Sequence, residues 1–82
     1  MDLLSSFKDK SLLLFVDDSK ISQNQIKELN NYKQKFYKID NDELKLHFNI
    51  KSYPTIIIVD KNKTKKYEGF IPYQILKYEL KD

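Results

Sequence analysis

The sequence predicts an α/β domain with a four-stranded mixed sheet and helices on both faces of that sheet. Two unbroken apolar runs, at residues 12–16 and 56–59, are typical of central strands that are covered on both sides. Segments with helical spacing of apolar residues separate these runs and follow them. The chain has 82 residues, which suffices for one hydrophobic core, so residues 1–82 are expected to form a single domain.

The first half of the chain has the pattern of a β-α-β unit. Residues 3–7 suggest a short opening helix, and residues 12–16 predict the first strand. The polar residues 17–19 can cap a helix that follows directly. Its expected inward residues have near-helical spacing: Ile21, Ile26, Leu29 and Tyr32. Residues 35–40 return to a β-rich composition, so we expect a parallel strand and a right-handed crossover.

The middle of the chain predicts a short helix and a second central strand. Acidic residues open the helix at 42–43, where they favour its positive end, and Asn49 can close it in a left-handed conformation. Pro54 then precedes a strand at residues 55–60, which contains the second apolar run.

A hairpin and a last helix complete the predicted order. Residues 61–64 have the composition of a turn, and residues 65–70 predict an edge strand whose lysines discourage unwanted pairing. Pro72 is suited to a helix start. The apolar stripe of that helix consists of Tyr73, Ile75, Leu76 and Leu80.

Composition excludes several classes of chemistry. The chain contains no cysteine, so it forms no disulfide, thiolate nucleophile or cysteine metal site. All 15 basic residues are lysines, which disfavours nucleic-acid binding because arginine supplies the planar fork for phosphates and bases. Phosphate binding by lysines is retained as an alternative, given the net charge of +3.

Composition also bears on location and source. No apolar run approaches the roughly 20 residues that a membrane helix needs, and the first residues lack the basic and apolar regions of an export signal. We therefore expect an intracellular, cytoplasmic protein without a membrane span. The absence of Arg and Ala and the abundance of Lys, Asn and Ile suggest an AT-rich genome, such as that of a large DNA virus or a low-GC microbe. A viral source would allow an association with virions.

Several short segments, in a fixed order, carry a resemblance to a known family. They lie at residues 12–16, 36–42, 48–58 and 66–69. The most specific is residues 48–55, with the sequence FNIKSYPT ahead of an apolar strand. In order and spacing these segments resemble the thioredoxin superfamily, which includes thioredoxins, glutaredoxins and protein disulfide isomerase domains. The resemblance implies a thioredoxin-like fold with a cis-proline at Pro54, although a trans proline at a strand start is also compatible with the residues.

The redox loop of that family is altered in this chain. The resemblance places the family's CxxC pair either at Ser19 and Ser22 or at Lys20 and Gln23, and neither alternative supplies a thiol. Leu14 stands where thioredoxins often carry a buried, proton-relaying acid. We therefore expect a degenerate member that has lost redox chemistry and has no catalytic residue, metal ligand or cofactor. An atypical oxidoreductase or a glutathione-binding protein of the glutaredoxin type is the enzymatic alternative.

Other candidate chemistry has simpler explanations. Ser19 and Ser22 lack the adjacent base that activates a serine, so we interpret them as helix caps. Asp17 and Asp18 are too few oxygen ligands for a cation and are interpreted as capping acids. His47 is interpreted as a surface or packing residue.

The leading functional hypothesis is a protein-protein contact made by the former active-site face. The resemblance places three segments on this face, beside the loop that follows the first strand. Its predicted partner-binding residues are Ser19, Lys20, Ile21, Ser22, Tyr53, Pro54, Gly69 and Phe70. Aromatic side chains at such a place suit a protein-binding surface. The protein would then act as a structural or accessory subunit.

Overall fold

The computed structural model describes residues 9–80, so the helix predicted at residues 3–7 lies outside the described residues. The described chain contains four strands and three helices in the order β1-α1-β2-α2-β3-β4-α3. Their bounds are β1 Ser11–Phe15, α1 Lys20–Asn31, β2 Tyr37–Lys38, α2 Asp42–His47, β3 Thr55–Asp60, β4 Lys63–Glu68 and α3 Tyr73–Leu80.

The strands form one mixed sheet in the order β2-β1-β3-β4. β1 runs parallel to β2 and antiparallel to β3, and β4 returns antiparallel along β3. The two central strands are the two apolar runs, with Leu13 opposite Ile57 and Phe15 opposite Thr55. The predicted α/β class, with a four-stranded mixed sheet, is therefore confirmed.

Alternation along the central strands divides the core into two layers. On one face, Leu12, Leu14, Ile56 and Ile58 pack against Leu29 of α1 and Leu76 of α3. On the other face, the alternate residues pack against Leu44 of α2. Side chains on successive strand residues point to opposite faces, so two fully apolar strands require helices on both sides.

The helix α1 turns only part of the expected stripe inward: Leu29 is buried and Ile26 packs against the core, whereas Tyr32 is 47% exposed. Its buried residues are Ser22, Gln25 and Leu29, whereas Ile21 is 46% exposed. The spacing of three and four residues fits one helical face, so polar residues occupy two of its inward positions. In α3, Leu76 is buried and Ile75 is 52% exposed, because the inward positions are 73, 76 and 80.

The edge strands differ in length from their predictions. β2 comprises only residues 37–38, although the N–H of Ile39 also donates to the carbonyl oxygen of Leu14 at 2.9 Å. β4 begins at Lys63, two residues before the predicted start, because Lys61 adopts a φ of 58° and allows a two-residue turn. The pairing of Asp60 with Lys63 closes this hairpin.

Lys66 ties β4 to the end of α2. Its Nζ donates to the carbonyl oxygens of Phe48 and Asn49, at 3.0 and 2.9 Å. Asn49 has a φ of 54°, which is the left-handed conformation predicted for it. A cation at the last carbonyls of a helix also complements the negative end of its dipole, so this contact fixes α2 to the sheet.

Candidate functional site

The loop between β1 and α1 is organised around the carboxylate of Asp17. Its Oδ1 accepts hydrogen bonds from the N–H of Ser19 at 3.0 Å, from the Ser19 hydroxyl at 2.5 Å and from the Ser22 hydroxyl at 2.8 Å. The Ser22 Oγ in turn accepts from the N–H of Asp17 at 3.3 Å. One acid thus holds both serines and the strand end together.

Ser19 is the N-cap of α1. It has an extended backbone, and its Oγ accepts from the N–H of Ser22 at 3.3 Å. Ser22 lies in the first turn of the helix and is fully buried. Ser19 therefore caps α1 and Ser22 lies in its first turn, whereas Lys20 and Gln23 are exposed.

Hydrogen bonding sets the electrostatics of this loop. The hydroxyls of Ser19 and Ser22 lower the pKa of Asp17 below its ordinary value, because they donate to the ionised carboxylate. Both hydroxyl protons are thereby directed at Asp17. An attacking serine needs a base that removes its proton, and a carboxylate whose pKa is lowered is a weak base, so we interpret both serines as structural groups.

Asp17 is expected to stabilise the fold at neutral pH and to lose that effect in acid. Since the folded-state pKa is lowered, the contribution is fully present above the unfolded pKa and disappears as the pH falls through the folded pKa, below about pH 4. Urea unfolding of the wild type and of Asp17→Asn should therefore differ at neutral pH and converge in acid. Asp18→Asn is the matched control, and a difference for Asp17→Asn that stays constant with pH would contradict this role.

The second part of the site lies at the start of β3. The Tyr53–Pro54 peptide bond is cis, and Pro54 is buried. Because Phe15 pairs with Thr55 in antiparallel strands, Pro54 and the Asp17 loop lie at the same end of the sheet. Among residues 9–80, the N–H and C=O of Tyr53 form no backbone hydrogen bond.

The third part follows β4. The N–H of Gly69 donates to the carbonyl oxygen of Pro54 at 2.8 Å, which extends the β3-β4 ladder to this end of the sheet. Gly69 has a φ of 87°, a conformation that favours glycine, and it turns the chain toward α1. Phe70 is 36% exposed and lies with Ile21 along a shallow surface groove on the outer side of α1.

The predicted site residues thus share one end of the sheet but divide between its faces. Ile21 and Phe70 border one groove on the α1 side. Tyr53 is half-buried and packs against the α2-side core that contains Phe15. The cis-proline lies at the sheet end between these two groups. The aromatic pair expected around the loop is therefore arranged on both sides of Pro54.

Two residues of α1 hold the Phe70 segment in place. The buried side chain of Gln25 bonds both backbone groups of Ile71: its Oε1 accepts from the N–H at 2.7 Å and its Nε2 donates to the C=O at 3.1 Å. Glu28 accepts from the N–H of Tyr73 at 2.9 Å and so caps α3. Sequence analysis missed both roles. A polar residue at an inward position of α1 was the available signal for Gln25.

The described residues form neither a metal site nor a membrane-spanning helix. Within residues 9–80, no group of three or more His, Asp or Glu side chains is placed to hold a metal ion. None of the helices in that part of the chain is long and apolar enough to cross a membrane.

Comparisons with known proteins bear on the fold. The chain's sequence matches none of the family models and none of the curated proteins with which it was compared.

Its structure is similar to a malarial protein, with a TM-score of 0.75, 21% identity and coverage of 90% of this chain and 96% of that one. It is also similar to the germline-specific thioredoxin Deadhead of Drosophila melanogaster, with a TM-score of 0.72, 16% identity and coverage of 94% and 84%. A malaria parasite thioredoxin-2, described as a component of protein secretion machinery, has a TM-score of 0.66, 21% identity and coverage of 88% and 82%. The chain therefore has the thioredoxin-like fold, and it has it without a cysteine.

Proposed function

From a thioredoxin-like fold without thiols, we propose that this protein is a non-catalytic module that binds a protein partner through its former active-site face. It would serve as a structural or accessory subunit. The observation that carries the proposal is that the hydroxyls of Ser19 and Ser22, the two serines of the loop, both donate to the carboxylate of Asp17. A serine hydroxyl does not exchange with a disulfide, and here both hydroxyls donate to Asp17, a carboxylate whose lowered pKa makes it a weak base.

The remaining features of this face suit contact with a polypeptide. Ile21 and Phe70 expose apolar surface along one groove, and the backbone of Tyr53 has a free donor and acceptor beside the cis-proline. An extended peptide can use such backbone groups for hydrogen bonds while side-chain grooves supply selectivity. Family members hold extended segments at this face, and that use does not depend on thiols.

The structure gives the two alternatives less support. A thiol-dependent oxidoreductase has no thiol to use, and Leu14 is a fully buried core residue. For nucleic-acid binding, two lysines of the hairpin already have partners. Lys65 forms an ion pair with Glu79 at 2.9 Å, and Lys66 donates to the two carbonyls at the end of α2.

The proposal predicts that apolar substitutions on the groove abolish partner capture. The tagged full-length protein would be purified from its native cells, and its bound proteins identified by mass spectrometry. Phe70→Ala and Ile21→Glu should each lose the specific partner, because they remove apolar contact area or add an uncompensated charge at its centre. Both side chains are exposed, so circular dichroism should show an intact fold.

Tyr78→Ala is the matched control for this experiment. Tyr78 is 70% exposed and lies on α3, outside the groove. The control should retain every partner of the wild type. Retention of all partners by Phe70→Ala and by Ile21→Glu would rule out this face as the binding surface.

A further inference from the structure

The outer edge of β4 is a second surface with unused hydrogen-bonding groups. β4 is the last strand of the sheet order and spans residues 63–68, of which only Tyr67 is half-buried. The opposite edge strand, β2, has two residues. Among the described residues, no strand pairs with the outer side of β4, and open edges are sites at which another strand can add.

The register defines which backbone groups face outward. The N–H of Gly69 donates to Pro54 across the ladder, and Lys63 pairs with Asp60 at the turn. Hydrogen-bonded and non-bonded pairs alternate between these two points. Thr64, Lys66 and Glu68 consequently direct their N–H and C=O groups away from β3. Among residues 9–80, these groups have no backbone hydrogen bond.

The charge along this edge is predominantly positive. Lys61 and Lys63 are exposed at the hairpin. Lys66 donates to two uncharged carbonyl oxygens and forms no ion pair with a carboxylate of residues 9–80. Glu79 neutralises Lys65, and Glu68 is the one acidic residue of the strand. The hairpin half of the edge is thus the half that favours acidic neighbours.

We propose that the outer edge of β4 binds an acidic, extended segment of a partner protein, which adds to the sheet as a further strand. A strand supplies both the acceptors for the outward N–H groups and the donors for the outward C=O groups. The phosphates of a nucleic acid offer only acceptors, and a nucleic acid has no regular row of donors that would match the spacing of those carbonyls. A second copy of this chain would bring two lysine rows together, and like charges on neighbouring strands are unfavourable. This surface is separate from the groove of Ile21 and Phe70 and goes beyond the function proposed above.

The side chains of β4 suggest the pattern of the segment. Lys63 and Lys65 lie on the same face as Tyr67, because alternate residues of a strand share a face. Lys65 is already paired with Glu79, so a segment with acidic residues at every second position would place a carboxylate beside Lys63, which has no ion pair within residues 9–80. A peptide of about seven residues that alternates Glu and Thr is therefore a suitable probe, with the same peptide carrying Gln for Glu as its neutral control.

The decisive variant removes one outward donor and leaves the inner ladder intact. In Thr64→Pro the lost N–H is one that points away from β3, and proline is tolerated at such edge positions. Thr64→Ala, which keeps the N–H, is the matched control. By fluorescence anisotropy, the Glu-Thr peptide should bind Thr64→Pro at least about tenfold more weakly than Thr64→Ala.

The charge is tested separately. Lys63→Glu should weaken the Glu-Thr peptide by about fivefold at low salt, whereas Lys77→Glu on α3 should leave its affinity unchanged. The Gln-Thr peptide should bind more weakly than the Glu-Thr peptide to the wild type. Equal affinity of the two peptides would overturn the acidic preference.

An NMR titration of the wild-type protein decides the question without any variant. The amide signals of Thr64, Lys66 and Glu68 should shift with the Glu-Thr peptide and become protected from exchange, and those of Lys65 and Tyr67 should become no more protected. Uniform shifts without protection would overturn strand addition, as would a single-stranded oligonucleotide that binds more tightly than the peptide and equally to Thr64→Pro and Thr64→Ala.

Discussion

Replacement of Leu14 by Asp is expected to unfold this domain at neutral pH. Leu14 has no exposed surface and lies in the α1-side core, paired with Ile56 and Lys38 on the flanking strands. Loss of a buried leucine costs about 2–5 kcal/mol, and an unpaired carboxylate at that place adds a desolvation cost. A domain of this size has only about 3–5 kcal/mol to lose.

The matched control for this prediction is Leu14→Asn, which has nearly the same size and no charge. Burial raises the pKa of an aspartate, so the destabilisation of the Asp variant begins above the unfolded pKa and is complete above the raised folded pKa. The Asp variant should approach the Asn variant below the unfolded pKa, at about pH 4. Circular dichroism during urea unfolding at several pH values measures this difference. An Asp variant as stable as the wild type at neutral pH would mean that water reaches position 14.

The Leu14 experiment also bears on the proposed loss of redox chemistry. Thioredoxins often carry an acid at the corresponding place, and there it relays protons. If the Asp variant unfolds, the core of this protein has adapted to leucine, and addition of two cysteines alone would not restore the whole apparatus.

Replacement of Gln25 by Leu is the second change with a large expected effect. It removes both hydrogen bonds to Ile71 and leaves an N–H and a C=O in a partly buried place without a protein partner. Such a loss costs about 1–3 kcal/mol. The segment that carries Phe70 would lose its anchor to α1, so partner capture should weaken along with the stability.

The matched control for Gln25 is Gln23→Leu. Gln23 is exposed, and its amide makes only a long hydrogen bond of 3.4 Å to the carbonyl of Asp18. Urea unfolding should show little change for this variant. Hydrogen exchange provides a local readout: the amide of Ile71 should lose protection in Gln25→Leu and keep it in Gln23→Leu. Equal protection in both variants would show that other contacts hold this segment.

The hydrophobic pattern alone was sufficient to predict the two central strands of the sheet. The runs at residues 12–16 and 55–60 are apolar on both faces, and that pattern is compatible with few arrangements other than strands covered by helices. The helix start at Ser19 and the left-handed Asn49 were also predictable, since short polar side chains have specific local geometries.

Positions fixed by distant partners were not predictable from the local pattern. Gln25 is buried and its amide bonds Ile71, a residue 46 positions away, so apolar spacing alone did not indicate it and wrongly placed Ile21 inward. Ile75 was wrongly placed in the core, since α3 is short and only its Leu76 side faces the sheet. The early start of β4 depends on the left-handed conformation of Lys61. Lysine rarely adopts that conformation, so the residue type gave no reason to expect it.

The sequence predicted which segments form the candidate site, but not the faces of the sheet on which their side chains lie. The three segments do meet at one end of the sheet, as the antiparallel pairing of β1 and β3 requires. The separation of Tyr53 from Phe70 follows from the opposite faces on which the two side chains pack. The order of the segments along the chain does not indicate on which face of the sheet each of these two side chains packs.

Three contacts from α1 to the returning chain occur at Gln25, Glu28 and Tyr32, the last of which stacks on Tyr73 with ring centroids 4.6 Å apart. Their spacing of three and four residues puts one attachment on each successive turn. Insertion of a single residue between them would rotate the later attachments by about 100° around the helix axis. Relatives of different length should therefore keep this stretch constant and vary instead at the Lys61–Asn62 turn, where an added residue displaces nothing.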